Sequence, residues 1–266
     1  MVENRNSLIN QVRWKIDILR KYSESEFFSV TPNFIIKEFL SKQMRLENLK
    51  RYLDNECDKK LSLLSEEDKR ELIEAKLFLK EHLELLPDLR RFELMNYAMS
   101  KACQNGIFAE FGVYKGESIN YIASKTPKVV HGFDSFQGLP EDWNPYHKKG
   151  HFYVGDKRLP KVAKNVRLHV GLFSRTIPQF KNDIGDQQIS FLHVDCDLYS
   201  STKDIFGNLA KNIGPGTVIL FDELYNYPGW KKHEYRAFVE FCEKEKVKFS
   251  YIGYNGAAEQ VAVLIK

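Results

Sequence analysis

Glycine is absent from the first part of the chain. All 15 glycines lie at or beyond Gly106, and of the nine prolines only Pro32 and Pro87 precede that position. A long stretch without glycine that is rich in Leu, Lys and Glu is typical of helices. Ser65 and Asp68, which lie three residues apart, form a pattern that resembles a capping box and predicts a helix start. The sequence therefore predicts a helical N-terminal extension over residues 1–90.

Cysteine is scarce, and no long apolar run is present. The four cysteines form no CxxC pair, which argues against a disulfide framework or a structural zinc site and favours a reducing, cytoplasmic location. The charged N-terminus lacks the apolar core of a signal peptide. No run approaches the roughly 18 apolar residues that a membrane helix needs, so we expect no membrane partner.

The chain also lacks a large excess of charge of either sign. The chain has 40 basic and 36 acidic side chains among 266 residues, which leaves a formal net charge of +4. A nucleic-acid-binding domain usually shows a basic stripe or patch, and this small excess does not indicate one, so we expect no nucleic-acid partner. Hydrophobic residues make up 43% of the chain, enough for a full core at this length.

From residue 91 onward, short β-rich runs alternate with helical stretches. Strand–helix alternation predicts βαβ units, and Asn255-Gly256 predicts a turn between the last two strands. The predicted fold is α/β: a doubly wound, Rossmann-like, mostly parallel seven-stranded sheet with an antiparallel C-terminal hairpin, preceded by the helical extension. This domain is expected to cover residues 91–266. The predicted strands are 107–111, 129–133, 166–170, 189–194, 217–221, 249–254 and 260–265, with helices at 116–124, 201–212 and 233–245.

Two candidate binding elements follow the first two predicted strands. Glu110, Gly112 and Gly116 form an acid followed by a G-x-x-x-G turn, which allows close approach of a ligand to a helix N-terminus. The alternative is a purely structural turn. Asp134 ends the second strand, where an acid can accept hydrogen bonds from ribose hydroxyls. Its structural alternative is a turn cap.

Four carboxylates follow the fourth and fifth predicted strands: Asp195, Asp197, Asp222 and Glu223. Carboxylates on neighbouring strand ends repel one another unless a cation or protons neutralise them. Oxygen ligands without a His/Cys cluster suit Mg²⁺, or else Mn²⁺ or Ca²⁺. Helix capping explains one acid but not four, so the pattern favours a metal site.

These motifs together resemble the macrocin-type O-methyltransferases. The residues that carry the resemblance are Glu110-Phe-Gly-x-x-x-Gly, Gly132-Phe-Asp-Ser-Phe-x-Gly-Leu-Pro140, Asp195-x-Asp197-x-Tyr199-x-Ser201-Thr202 and Asp222-Glu223. Members of this family are class I enzymes that use S-adenosylmethionine. Many depend on a metal and act on sugars of macrolide or aminocoumarin antibiotics. The resemblance covers residues 91–266 and leaves the first 90 residues unexplained.

The resemblance implies roles for individual residues. Asp197 would be the general base, with His233 as the alternative, and Mg²⁺ would be held by Asp195, Asp222 and Glu223. Glu223 departs from the more common aspartate, and Cys196 stands where glycine is common. The residues implied to bind the cofactor are Glu110, Gly112, Tyr114, Gly116, Ser118, Asp134, Ser135, Gly171, Phe173 and Asp195.

The expected partner is a small-molecule acceptor with a hydroxyl, a sugar or other vicinal diol. The aromatic residues expected near the acceptor are Trp143, Tyr146, Tyr227 and Trp230. For Trp230 and His233, packing of an aromatic loop on the sheet is an equally good interpretation.

Two other functions remain open from the sequence alone. The D-x-D after a strand also suits a metal-dependent glycosyltransferase, although that function does not explain the glycine turn. A non-catalytic cofactor-binding or scaffold protein would use its helical N-terminus. There, apolar stripes at Ile16 and Leu19 and at Phe34, Ile35 and Phe39 predict a lid or a homo-oligomer contact.

Overall fold

The computed structural model describes residues 64–155 and 159–266. The predicted apolar stripes of the N-terminal extension lie outside these described residues. The chain divides into two compact units, Met1–Ile73 with Gly256–Ala258 and Glu74–Asn255 with Glu259–Lys266. The second unit contains the whole sheet and the candidate site.

The first described helix, α1, covers Glu66–Phe78. It begins where the sequence predicts, because Ser65 Oγ accepts a hydrogen bond from the Asp68 N–H at 3.0 Å and satisfies one of the free amides of the first turn. The chain then continues as a π-helical turn over Leu79–Leu83.

Seven strands form one sheet in the order β3-β2-β1-β4-β5-β7-β6. Strands β1 to β5 pair in parallel, whereas β7 is antiparallel to both β5 and β6. This confirms the predicted fold class, and each predicted strand boundary lies within one residue of the observed one. The strands are β1 Ile107–Phe111, β2 Val130–Asp134, β3 Val166–Val170, β4 Ile189–Val194, β5 Val218–Phe221, β6 Phe249–Tyr254 and β7 Val261–Ile265.

Five further helices cover the sheet: α2 Arg91–Lys101, α3 Glu117–Ser124, α4 Phe173–Ile184, α5 Tyr199–Leu209 and α6 Glu234–Glu245. The predicted helix at 201–212 begins two residues earlier and ends as a 3₁₀ turn, Ala210–Asn212. Helices α2 and α4 were not predicted. Within residues 64–155 and 159–266, no helix has the length and apolar content that spanning a membrane requires.

The core lies in two layers, one on each face of the sheet. Successive strand residues point to opposite faces, so Phe111 packs in the layer of α4, α5 and α6, whereas Phe108 packs in the layer of α2 and α3. Both faces of the parallel strands are therefore apolar, as a sheet covered by helices on both sides requires.

The direction in which successive strands are added reverses between β1 and β4. From β1 the sheet extends through β2 to β3 on one side, and from β4 to β5 on the other. Ligands of doubly wound sheets bind at such a reversal, beyond the carboxyl ends of the strands. The predicted site residues after β1, β2, β4 and β5 all lie at this end.

A pair of histidines on β2 and β3 makes the stability depend on pH. Nδ1 of His131 lies 3.0 Å from Nε2 of His169. Burial, together with the neighbouring His169 and Arg167, lowers the pKa of His131 from 6.5 to about 4. The unfolded chain therefore takes up a proton before the folded chain does, and stability falls as the pH drops from 6.5 towards 4.

We expect His131→Gln to reduce this loss of stability. Between about pH 7 and pH 5, wild type should lose roughly 1 kcal/mol more unfolding free energy than the variant, after allowance for the partial exposure of His131. Urea unfolding at several pH values measures the difference. His151→Gln, at an exposed histidine, is the matched control. Parallel pH curves for wild type and His131→Gln would contradict the expectation.

Candidate active site

A cavity of about 540 Å³ opens at the carboxyl ends of the parallel strands. Its volume lies in the usual range of small-molecule sites. The structure thus brings together most of the residues predicted to bind a cofactor. Those in the lining are Gly112, Tyr114, Ser118, Asp134, Ser135, Gly171, Phe173 and Asp195. Glu110 and Gly116 lie behind the lining, in contact with the residues that form it.

The turn after β1 can be made only with glycine at its first position. Gly112 has a φ of +99°, and a Cβ atom placed there would lie 1.5 Å from the carbonyl oxygen of Asp195. Gly116 has a φ of +84° and caps α3, and its N–H donates to the carbonyl of Val113 at 2.8 Å. The chain therefore passes directly against the end of β4 before the helix begins.

Asp134 holds this turn in place. One carboxylate oxygen accepts from the amides of Val113 and Tyr114, at 2.9 and 2.7 Å, and the other accepts from the amide of Phe136 at 2.7 Å. A carboxylate has about four lone-pair positions, so roughly one remains for a ligand in the cavity. Asp134 thus makes the structural contacts of a turn cap and still lines the cavity.

A buried hydrogen-bonded chain lies beneath the cavity wall. Nδ1 of His193 lies 2.9 Å from Glu110 and its Nε2 lies 3.4 Å from Asp222, while Ser118 donates to Glu110 at 3.2 Å. Burial alone would lower the pKa of His193. The hydrogen bonds to Asp222 and Glu110 outweigh burial and raise the pKa to about 10. Each ring nitrogen of His193 thus faces a carboxylate, and both oxygens of Glu110 are engaged with protein groups.

Arg91, which sequence reasoning missed, supplies positive charge to the acidic strand ends. Its guanidinium reaches Asp195 at 3.1 Å, Asp222 at 3.4 Å and Glu117 at 3.9 Å. Burial would raise the pKa of Asp222, but Arg91 and then His193 outweigh it and hold the pKa well below its usual range. Part of the charge that was expected to require a bound cation is thus neutralised by the protein itself.

Three carboxylates converge beside this ion pair. Asp195, Asp197 and Glu223 each place an oxygen within 4.8 Å of the others. Burial, and then repulsion from Asp222, raises the pKa of Asp195 and of Glu223. Oε2 of Glu223 is buried and has no hydrogen-bond partner among the described residues. This all-oxygen set, with an unsatisfied buried oxygen, fits a hard divalent cation.

The clustering differs from the predicted ligand set of Asp195, Asp222 and Glu223. Asp222 belongs to a second group with His193 and Asp195, and its oxygens contact Arg91, His193 and Gln260. A ligand role for Asp222 stays a prediction. The geometry favours Asp197 in its place.

Asp197 has an unusual backbone conformation. Its φ is +62° and its side chain is buried, yet it lines the cavity. A non-glycine residue in this region is uncommon, although aspartate and asparagine tolerate it better than most. Strain of this kind often occurs at functional sites, where the surrounding structure maintains it.

Glu234, the first residue of α6, is a further buried acid that sequence reasoning missed. Its Oε1 accepts from the amide of Cys196 at 3.3 Å, and its Oε2 accepts from the amide of Glu223 at 3.4 Å. Burial, with repulsion from Asp197, raises the pKa of Glu234. A glutamate preceding an amphipathic helix suggests only a helix start, so the sequence contained no signal for this contact.

Some of the aromatic residues expected near the acceptor lie elsewhere. Trp143 is half-buried and lines the cavity, as does Phe152. Tyr146 is 77% exposed, whereas Trp230 is 1% exposed and packs against Phe78 and Tyr235 in the core. Trp230 therefore follows the packing interpretation rather than the substrate-binding one.

The loop that carries Trp230 also holds the alternative base. Tyr227 is buried, and the ring of His233 lies 6.4 Å from that of Trp143 and 6.5 Å from that of Tyr227. Neither Tyr227 nor His233 is part of the cavity lining among the described residues.

The chain is similar to known proteins. Residues 109–224 match the family model described as a methyltransferase domain. A protein of Streptomyces olivaceus described as 8-demethyl-8-(2,3-dimethoxy-alpha-L-rhamnosyl)-tetracenomycin-C 4'-O-methyltransferase is 26% identical over 161 residues, which cover 51% of this chain and 60% of that protein. The match therefore spans less than two thirds of that relative's length.

One solved structure supports the fold, and a second is reported beside it. The structure described as CalS11, calicheamicin methyltransferase, superposes with a TM-score of 0.51 at 16% identity and covers 99% of this chain and 94% of its own. The O-methyltransferase NovP gives a TM-score of 0.48 at 20% identity, with 65% of this chain and 78% of its own covered. Residues 109–224 therefore match the methyltransferase-domain model, and the strand order and the superposition show that the chain has the fold of CalS11.

Proposed function

We propose that the chain is an S-adenosylmethionine-dependent O-methyltransferase that acts on a hydroxyl of a sugar in a natural product. One observation supports this best. The glycine turn at Gly112 and the carboxylates Asp195, Asp197 and Glu223 line the same cavity, in a region that matches a methyltransferase domain. The curated relative, by its description, methylates a rhamnosyl group at its 4' oxygen.

The glycine-turn side of the cavity suits the cofactor. Gly112 is part of the cavity lining, and Asp134 fixes the amides of Val113 and Tyr114 at the cavity wall. Phe173 contributes an apolar surface to the same cavity. S-adenosylmethionine, when bound, supplies the methyl group and a good leaving group. The protein's contribution is alignment, because methyl transfer requires the acceptor oxygen, methyl carbon and sulfur to lie in line.

Other residues of the lining suit a sugar. Trp143 offers a flat apolar face, and the first turns of α5 present Ser200, Ser201 and Asp204 to the same cavity. Ser200 donates to Glu141 at 2.6 Å, which ties this helix to the loop that carries Trp143. Apolar faces combined with a few polar groups match a sugar ring, whose faces are apolar and whose edge carries hydroxyls.

Asp197 is the proposed general base. It lines the cavity at the end of β4, next to Asp195 and close to the wall that suits the acceptor. A sugar hydroxyl is a weak nucleophile near neutral pH, and a positioned carboxylate can take its proton as the carbon–oxygen bond forms. His233, outside the lining, is the alternative base.

A divalent cation, with Mg²⁺ the proposed ion, would be held by Asp195, Asp197 and Glu223. Bound there, it would lower the pKa of an acceptor hydroxyl and fix its orientation. Asp197 belongs to the carboxylate cluster and also lines the cavity, so it lies next to both the proposed ion and the proposed acceptor. Asp195 and Glu223 would neutralise the remaining charge.

Calorimetric titration with S-adenosylhomocysteine, in the presence of Mg²⁺, tests the cofactor. We expect one-to-one binding in the micromolar range, near −8 kcal/mol. Binding of a UDP-sugar in place of S-adenosylhomocysteine would contradict the proposal and favour a glycosyltransferase.

Transfer of a labelled methyl group to rhamnosyl glycosides then tests the reaction and its dependence on metal. Excess EDTA should abolish turnover, and added Mg²⁺ should restore it. Full activity in EDTA would reject the metal and leave the methyl transfer intact.

A further inference from the structure

The two acidic loops are connected by one buried side chain. The loop after β4 carries Asp195 and Asp197, and the loop after β5 carries Glu223. These loops are nearly 30 residues apart in sequence, and Glu234 contacts the backbone of both. We infer that Glu234 is a positioning residue that sets the spacing of the carboxylates by accepting the amides of Cys196 and Glu223 with its two oxygens.

The geometry supports this role over that of a fourth cluster ligand. Each oxygen of Glu234 already faces a backbone amide, at 3.3 and 3.4 Å, and the side chain is fully buried. Glu234 does not line the cavity among the described residues, whereas Asp197 and Glu223 do. Its effect on the chemistry therefore passes through the backbone of the two loops.

The position of Glu234 on α6 makes the contact rigid. It is the first residue of a 12-residue helix whose Ala237, Phe238 and Phe241 are buried. A carboxylate at a helix N-terminus is also stabilised by the helix dipole. The carboxylates of the cluster repel one another, and a fixed acceptor on a packed helix holds their loops together against that repulsion.

Glu234→Gln tests the inference directly. Glutamine has the same shape, but its side-chain amide group is a donor and cannot accept from a second backbone amide. One loop therefore loses its acceptor. We expect peptides that contain Cys196 or Glu223 to exchange amide hydrogens about tenfold faster than in wild type, with peptides from β1 unchanged. Unchanged protection in both loops would overturn the inference.

The second readout is cation binding, and it rests on the proposed function. Mn²⁺ titration of Glu234→Gln should show a 10- to 100-fold weaker affinity, the usual effect of losing a residue that orients ligands. S-adenosylhomocysteine should bind within about threefold of wild type, because the glycine turn is untouched. Wild-type affinity for Mn²⁺ in the variant would remove the positioning role.

Two further variants make the experiment decisive. Glu234→Asp keeps the charge but is one methylene shorter, so it should reach one loop only and show the same loss. If it behaves as wild type, charge alone suffices and the spacing role is wrong.

Glu243→Gln, at an exposed position on α6, is the matched control and should change nothing. If wild type binds neither Mn²⁺ nor S-adenosylhomocysteine, the proposed function fails, and hydrogen exchange still decides the role of Glu234.

Discussion

Gly112→Ala should abolish binding of S-adenosylhomocysteine and destabilise the fold. The added methyl group would lie 1.5 Å from the carbonyl oxygen of Asp195, and alanine strongly disfavours a φ of +99°. Backbone strain and the clash together should cost about 3 kcal/mol or more. The turn can relieve the clash only by moving away from β4, which displaces the amides of Val113 and Tyr114 from Asp134.

Gly207→Ala is the matched control for this substitution. Gly207 lies within α5, and a Cβ atom there would have no neighbour within 4 Å. Alanine in a helix interior should stabilise the chain by roughly 0.5–1 kcal/mol. Thermal unfolding and calorimetry measure both variants. Binding of S-adenosylhomocysteine by Gly112→Ala with wild-type affinity would show that the cofactor does not lie against this turn.

Asp197→Asn should lose turnover by 10²- to 10⁴-fold and still bind S-adenosylhomocysteine. That range is the usual contribution of a positioned general base. Asparagine removes the proton acceptor but tolerates the φ of +62° at this position. The backbone of the loop should therefore remain in place. Single-turnover methyl transfer measures the loss of rate, and a separate titration with S-adenosylhomocysteine measures cofactor binding.

Asp204→Asn provides the comparison on the same cavity wall. It also removes a carboxylate from the lining, but Asp204 lies on α5, outside the acidic cluster. The rate of its chemical step should stay within about tenfold of wild type. A normal rate in Asp197→Asn would transfer the base role to another group, and His233→Gln would then be the variant to measure.

The strands could be predicted because their pattern is local. β1 and β4 are short, apolar runs followed at once by glycine or acids, which mark the strand ends. Helix α4 could not be predicted from the sequence, because Pro178 lies inside it and proline predicts a helix end. The burial of Ile177, Phe180 and Ile184 against the sheet compensates for the lost backbone hydrogen bond, and that compensation exists only in the folded chain.

The residues of the candidate site also fall into those that the sequence predicts and those that only the folded chain reveals. Gly112, Asp134 and Asp195 could be placed from the sequence, because strand ends of a parallel sheet converge on one edge. Arg91 could not, since its partner Asp195 lies 104 residues further along the chain. The contacts of Glu234 likewise depend on how α6 packs against two loops. The division between an extension and a catalytic domain at residues 90 and 91 stays a prediction, as do a homo-oligomer and a cytoplasmic location.

The ion pairs of Arg91 set a limit on how far the domain can be shortened. The matched methyltransferase domain begins at Ala109, which is 18 residues after Arg91. A fragment cut at that border would retain Asp195 and Asp222 but lose the guanidinium between them, and it would also lack the apolar side of α2. Transplanting this domain into another protein therefore requires a segment that starts before α2, because the match to the family model begins only after the residue that balances the charge of the acidic strand ends.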